Sequence, residues 1–376
     1  MSNLIACEDI PNTIQAGVLE APRRLNVREI PQWPVLDYGD PDLVLLKVKA
    51  CGVCGSDFRY YDGENPWAQH TLGRHVDNPP NIVLGHEFAG DVVAVASEKN
   101  RGLLGKRMAP VCSKVCGMCT ECRAGRTELC PNTTHLGHGA GWGKRDFYPG
   151  AYALYVPTWA SGCYEIPDSV SYEEAAMMDI LAVCVHVAHK GKIAPGRPVL
   201  MLGAGPAGNG IAQAARYLGA SQVVITDLAE TALQQARKQG IDHVVDVRGK
   251  STDDLAKELL AIAPEGFGSV FDSVGSPDSL DLGLRALGRA GTLVAMAVHD
   301  ESIPLNFLRL GGERNIVTSC NFAAGDYPHA LAWLESGRFQ VKDWLTRITL
   351  AETPQRFTDV LANKADRSAF KMVITF

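Results

Sequence analysis

Residues 198–227 read PVLMLGAGPAGNGIAQAARYLGASQVVITD. An apolar run ends in a glycine turn, a segment rich in small residues follows, and a second apolar run closes on an acid. PVLML therefore reads as a buried strand, and the residues after Gly205 as the helix that packs back on it. Gly203, Gly205 and Gly208 form G-x-G-x-x-G, with Pro206 and Ala207 between the last two. Glycine makes up 37 of 376 residues, so the pattern alone carries little. Its position carries more. A strand must turn sharply here, backbone must approach a pyrophosphate, and a helix N-terminus offers N–H donors to anionic oxygens. Asp227 ends the second run, 19 residues after Gly208, where a carboxylate takes the ribose hydroxyls. That charge repels a 2′-phosphate, and Leu228 and Ala229 supply no compensating arginine, so the expected cofactor is NAD. A plain βαβ turn with an N-capping aspartate is the alternative.

The same rhythm continues downstream. ETALQQARKQG reads as a helix and HVVDV as a strand. SVFDSVG, GTLVAMAV and NIVTSCNF add three more strands, with the helical DSLDLGLRALGRA between the first two. Six strands alternating with helices predict a doubly wound parallel sheet, an α/β fold complete for binding a dinucleotide. Upstream the composition differs. LVLLKVKACGV, EFAGDVVAVA and AYALYVP are short Val-containing runs broken by Gly, Pro, Asn and Asp, which predicts a mostly β domain. The tail beyond Ala323 carries a further helix and a final strand, KMVITF. With one domain inserted between two halves, that tail is placed to return to the first.

The chain is long enough for two cores. Its net charge of -6 opposes nucleic acid or an anionic membrane as partner, and no apolar run reaches the ~20 residues of a bilayer span. MSNLIACEDIPNTIQAGV has neither the basic nor the apolar region of a secretory signal, so the expected location is the cytoplasm. This bears on the 11 cysteines. Cys116, Cys119, Cys122 and Cys130 are spaced C-x2-C-x2-C-x7-C in a polar, glycine-containing loop. In a reducing compartment such a cluster binds metal more often than it forms disulfides. Four thiolates make a tetrahedral shell suited to zinc or, less often, iron, and a closed shell braces a loop without activating a substrate. The chemistry is then expected elsewhere.

KACGVCGSD carries Cys51 and Cys54, and LGHEFAG carries His86 and Glu87. Spacing leaves two readings of CGVC open, a thiol–disulfide pair and metal binding, although no thioredoxin-like βαβ pattern surrounds it. A lone His86 is as readily a packed histidine as a ligand.

Taken together, CGVCGSD, GHEFAG, the four-cysteine lobe, DILA and GAGPAG stand in the order found in the zinc-dependent medium-chain alcohol and polyol dehydrogenases, and the chain resembles that family over most of its length. The resemblance implies a GroES-like, mostly β catalytic domain over residues 1–180 and 321–376, a Rossmann domain over 181–320, and an active site in the cleft between them. It implies that Cys54, His86 and Asp179 hold a catalytic zinc. Glu87 would be a neighbouring or exchangeable fourth ligand, and Asp57 would orient the His86 ring. Cys184 lies near enough to Asp179 in sequence to be a rival, and Cys51 reads as packed. Three ligands and one open position suit a catalytic zinc. Two zinc ions and one NAD per chain are expected, in a homodimer or homotetramer as among relatives.

The reaction implied is hydride transfer from a secondary alcohol to NAD. Ser56 would pass the hydroxyl proton onward, since a hydroxyl both donates and accepts. Many members place a relay histidine five residues after the catalytic cysteine; here that residue is Arg59, which stays protonated and cannot shuttle. Arg59 is then free to meet a cofactor phosphate, a substrate carboxylate or solvent. The long segment RYYDGENPWAQHTLGRHVDNPPNIVLGHE falls near the substrate, with Trp67, Gln69 and His70 able to meet polar hydroxyls. A polyol, sugar or cyclitol is the expected substrate. PWAQ is similar to a segment of threonine 3-dehydrogenases, so amino-alcohol oxidation is the alternative. A redox-silent relative would lack zinc ligands or nucleotide glycines, and neither is missing.

Overall fold

The structure is a computed structural model that describes residues 4–35, 38–297, 300, 302–362 and 369–376. It divides into two compact units. One comprises Met1–Asp179, Val341–Asn363 and Lys371–Phe376, the other Ile180–Gln340 and Lys364–Phe370.

The first unit is built on an eight-stranded sheet. Along it run Cys163–Glu165, Arg107–Pro110, Glu87–Val95, Leu43–Gly52, Lys371–Thr375 and Leu345–Ile348, with Ile5–Ala6 and Tyr155–Trp159 pairing off this path. Leu43–Gly52 is central and its opening LVLL is wholly buried. Register then places the site. Gly52 opposes Glu87 on one side and Val373 on the other, so the C-terminal strand lies beside the CGVC segment. A Cβ at position 52 would fall 2.2 Å from Glu87 Oε2, so glycine leaves that carboxylate its place.

The second unit carries six parallel strands, β1 (Val199–Leu202), β2 (Val223–Asp227), β3 (His243–Asp246), β4 (Phe267–Asp272), β5 (Leu287–Ala295) and β6 (Asn315–Thr318). Their order is β3-β2-β1-β4-β5-β6, that of a complete dinucleotide-binding sheet. Leu200, Leu202, Val224, Val270 and Leu293 of the strands bury with Leu259 and Leu282 of the helices into one core, the continuous apolar pattern of strands covered on both faces. The helix Asp326–Glu335 belongs to this unit, which extends to Gln340 rather than ending at the expected residue 320. The cause is polar. His186 Nδ1 lies 2.7 Å from Asp326 Oδ2, and the Gln340 N–H donates to Gln213 Oε1 at 2.7 Å. Among the described residues no helix is long and apolar enough to cross a membrane.

Candidate metal and dinucleotide sites

Two groups among the described residues bring three or more ligand atoms within 4.8 Å of one another. The first is Cys116, Cys119, Cys122 and Cys130. Cys130 Sγ stands 3.6 Å from Cys116 Sγ and 4.0 Å from Cys119 Sγ, separations far beyond the ~2.05 Å of a disulfide and suited to sulfurs around one cation. Backbone N–H groups of Met118 and Cys119 pull the Cys116 thiol down to about 6. Burial and the Cys119 thiol push Cys122 up to about 12. Four sulfurs so close cannot all ionise without a compensating positive charge, and the donor set fits zinc.

The second group is Cys54, His86 and Glu87. Cys54 caps the helix Gly55–Tyr61, and Asp57 reaches back to accept from the Cys54 N–H at 2.8 Å. His86 turns Nε2 toward Ser56 Oγ at 3.3 Å and Nδ1 toward Asp57 Oδ1 at 3.5 Å. His86, Asp57 and Glu87 are all buried. Burial opposes charge on His86, but Asp57 and Cys54 outweigh it and hold the imidazole well above its usual value. The same negative surroundings favour a cation at Nε2. Glu87 Oε1 has no hydrogen-bond partner, and Oε2 lies 2.6 Å from Lys371 Nζ. A partly buried thiol, a buried imidazole and a buried, unpaired carboxylate oxygen converge here, a donor set that fits zinc.

Asp179 stands outside this group. Its Oδ1 accepts from Cys112 Sγ at 3.2 Å, and Cys112 Sγ lies 3.4 Å from His135 Nε2. Of the expected trio, Cys54 and His86 converge, and Glu87 rather than Asp179 lies within 4.8 Å of them. Removal from water pushes the Asp179 carboxyl up to about 6; His86 opposes that rise and Glu87 adds to it. A carboxylate placed among other acidic groups takes the nearest donor, here a thiol. Cys51 is fully buried, as a packed residue should be. The Cys184 thiol donates to Ala207 O at 3.4 Å within the second unit.

Arg59 is committed to its own neighbourhood. Its Nε and Nη2 donate to Glu64 Oε2 at 2.8 and 2.7 Å, Nη2 also meets Gln69 Oε1, and Nη1 lies 3.4 Å from His70 Nε2. Gln69 and His70 thus gather around Arg59, while Trp67 stacks on His138 at 5.8 Å. Two residues of this region escape the sequence reading. Lys371 is a charge opening the apolar run KMVITF, and that misfit is a legible signal. Tyr152, whose hydroxyl donates to Asp57 Oδ2 at 2.9 Å, looks in AYALYVP like any strand aromatic.

In the second unit the glycine turn is as tight as the motif demands. Gly203 has φ +98°, and a Cβ there would fall 2.4 Å from Ser273 Oγ. A Cβ on Gly208 would fall 2.0 Å from Gly203 O. Gly205 caps the helix Pro206–Tyr217, with Pro206 in its first turn, where a missing N–H costs nothing. Asp227 Oδ2 accepts from the Ala204 N–H at 2.7 Å, and Oδ1 from Leu228 and Ala229 N–H at 2.7 and 2.8 Å. Gly203, Gly205, Pro206, Ala207, Gly208 and Asp227 therefore surround one turn.

Comparison with known proteins agrees with both halves. Residues 40–168 match the alcohol dehydrogenase GroES-like domain and residues 206–336 the zinc-binding dehydrogenase domain. Sorbitol dehydrogenase of Bacillus subtilis is 30% identical over 339 residues, 90% of each chain. L-threonine 3-dehydrogenase of Legionella pneumophila is 32% identical over 274 residues, 73% of this chain and 75% of that one. Acetophenone reductase of Geotrichum candidum, solved with NAD, superposes with a TM-score of 0.79 at 25% identity, covering 98% of this chain and 99% of that one. Other structures of this fold hold NADP or NADH. With both domain matches, a sheet in dinucleotide-binding order and two convergent ligand groups, the chain belongs to the zinc-dependent medium-chain dehydrogenase family and is an α/β oxidoreductase of zinc and NAD(H).

Proposed function

We propose that this enzyme oxidises a secondary alcohol of a polyol, sugar or cyclitol, with NAD as hydride acceptor. The observation that carries the reading is the convergence of Cys54, His86 and Glu87 beside the Ser56 hydroxyl in a chain that also carries the NAD turn. Cys54 and His86 Nε2 would hold the catalytic zinc with Glu87 Oε1, and Asp179 is the neighbouring carboxylate able to replace it. Bound zinc supplies a positive charge that makes the substrate hydroxyl more acidic. Ser56 Oγ accepts that proton and passes it on, and Asp57 keeps His86 oriented. Arg59, tied to Glu64, takes no part in proton transfer. The Gly203–Gly208 turn would receive the pyrophosphate on backbone N–H groups, and Asp227 the ribose hydroxyls. Cys116, Cys119, Cys122 and Cys130 would hold the second, structural zinc.

The similarity to a sorbitol dehydrogenase over 90% of both chains supports the polyol class. The threonine 3-dehydrogenase relative supports the second reading, amino-alcohol oxidation. A screen of NAD reduction over polyols, cyclitols, amino alcohols and simple alcohols separates them. Turnover of L-threonine with polyols inert would select the second reading, and no turnover of any alcohol would point to a redox-silent relative.

A second copy of the chain is the proposed partner, since β6 is the edge of its sheet and Phe307 and Leu308, just before it, are 77% and 83% exposed. The cytoplasm is the proposed location, because the sulfurs of Cys116, Cys119 and Cys130 stand at metal-binding rather than disulfide separations, which suits a reducing compartment.

A further inference from the structure

Tyr152 is fully buried, and so is the carboxylate it meets. A buried phenol needs a partner, and its hydroxyl donates to Asp57 Oδ2 at 2.9 Å. The same oxygen accepts from the Cys54 N–H at 2.8 Å. Two donors therefore occupy Oδ2 and turn the other oxygen outward. Oδ1 has no hydrogen-bond partner, nor has His86 Nδ1, and these two face each other at 3.5 Å. A small approach closes them into the carboxylate–imidazole bond that fixes a metal-bound histidine.

The tyrosine also grips the other side of that pair. Its N–H donates to Leu84 O at 2.8 Å, and the Ala151 N–H donates to Gly85 O at 2.9 Å, so residues 84–86 and 151–152 are held together. Gly85, immediately before His86, has φ +95°. A Cβ there would fall 2.4 Å from Tyr152 Cδ1. The ring thus fills the space that glycine leaves beneath the His86 backbone, while its hydroxyl aims the carboxylate at the His86 ring.

We infer that Tyr152 is a positioning residue for the Cys54–His86 metal site, acting through Asp57 on the orientation of His86. The inference rests on the metal-site reading given above. A hydroxyl that merely satisfied its own burial would leave metal retention alone.

Zinc release to a colorimetric chelator distinguishes these. The full-length zinc-loaded protein, Tyr152→Phe, Asp57→Asn and the double variant are compared, and a Cys54→Ser variant identifies the release phase that belongs to the Cys54 site. The four-cysteine phase reports whether each variant is folded. Tyr152→Phe should speed release from the Cys54 site about tenfold, leave the four-cysteine phase unchanged, and add nothing in the Asp57→Asn background. Wild-type release from Tyr152→Phe, equal acceleration of both phases, or a full effect in the Asp57→Asn background would each overturn the inference. A wild-type chain with only the four-cysteine phase would instead overturn the metal-site reading, and the inference with it.

Discussion

Lys371 Nζ lies 2.6 Å from Glu87 Oε2, joining the last strand of the chain to the residue that follows His86. Both side chains are buried, at 4% and 0% exposure. Burial alone would lower the lysine, but Glu87 first among its neighbours keeps it raised and charged. Lys371→Met should therefore leave a buried carboxylate without compensation and cost about 3–5 kcal/mol. Adding Glu87→Gln removes the orphaned charge and should recover most of that loss. Urea unfolding of the metal-free single and double variants tests this, and additive losses would contradict it.

Zinc content separates the two metal groups. Wild-type protein should carry about two zinc ions per chain, by the ligand rules for such sites. Cys54→Ser should remove one and abolish alcohol oxidation. Cys116→Ser should remove the other and lower thermal stability. A protein in which Cys54→Ser keeps full zinc content has no metal at Cys54.

The proposed reading ties cofactor choice to Asp227. Its carboxylate is held by three backbone N–H groups at the glycine turn, beside the place proposed for the ribose. Asp227→Ala should cut the preference for NAD over NADP in kcat/KM by about 10–100-fold, the 1.5–3 kcal/mol of a charged hydrogen bond. An unchanged ratio would remove Asp227 from cofactor discrimination.

Much of this was legible from residues alone, for identifiable reasons. The NAD half follows from local chemistry: a turn that needs glycine at 203 and 208, a strand before it, and an acid 19 residues after Gly208. The four-cysteine lobe is equally local. The Cys54 site is assembled from separate stretches of chain, and no spacing rule connects them. Its third corner shows the difficulty. Asp179 and Glu87 are both acids near His86, and only three-dimensional placement sends one to the Cys112 thiol and leaves the other facing Cys54 and His86. Lys371 and Tyr152 reach the site through strand register and glycine packing, which a one-dimensional reading does not contain. The contacts of residues 321–340 are illegible for the same reason, since Asp326 finds His186 only in space.

That Asp326–His186 contact has a pH signature. Burial would raise the Asp326 carboxyl, yet His186, the Ala323 N–H and the His189 charge together bring it below its ordinary value. A folded pKa below the unfolded one, about 3.9, gives stability that is present above the unfolded pKa and lost as pH falls through the folded value. Asp326→Asn should cost about 2 kcal/mol at neutral pH, and the gap to wild type should shrink as acid is approached. Denaturant melts from pH 7 downward check it, and a gap independent of pH would contradict it.

The proposed reaction requires a catalytic zinc gripped by Cys54 and His86. Anomalous diffraction at the zinc absorption edge, on crystals of the zinc- and NAD-loaded enzyme, locates each ion directly. Two peaks per chain are expected, one among Cys116, Cys119, Cys122 and Cys130, the other touching Cys54 Sγ and His86 Nε2 with a carboxylate of Glu87 or Asp179. A single peak at the four cysteines, or a second one away from Cys54 and His86, would contradict it.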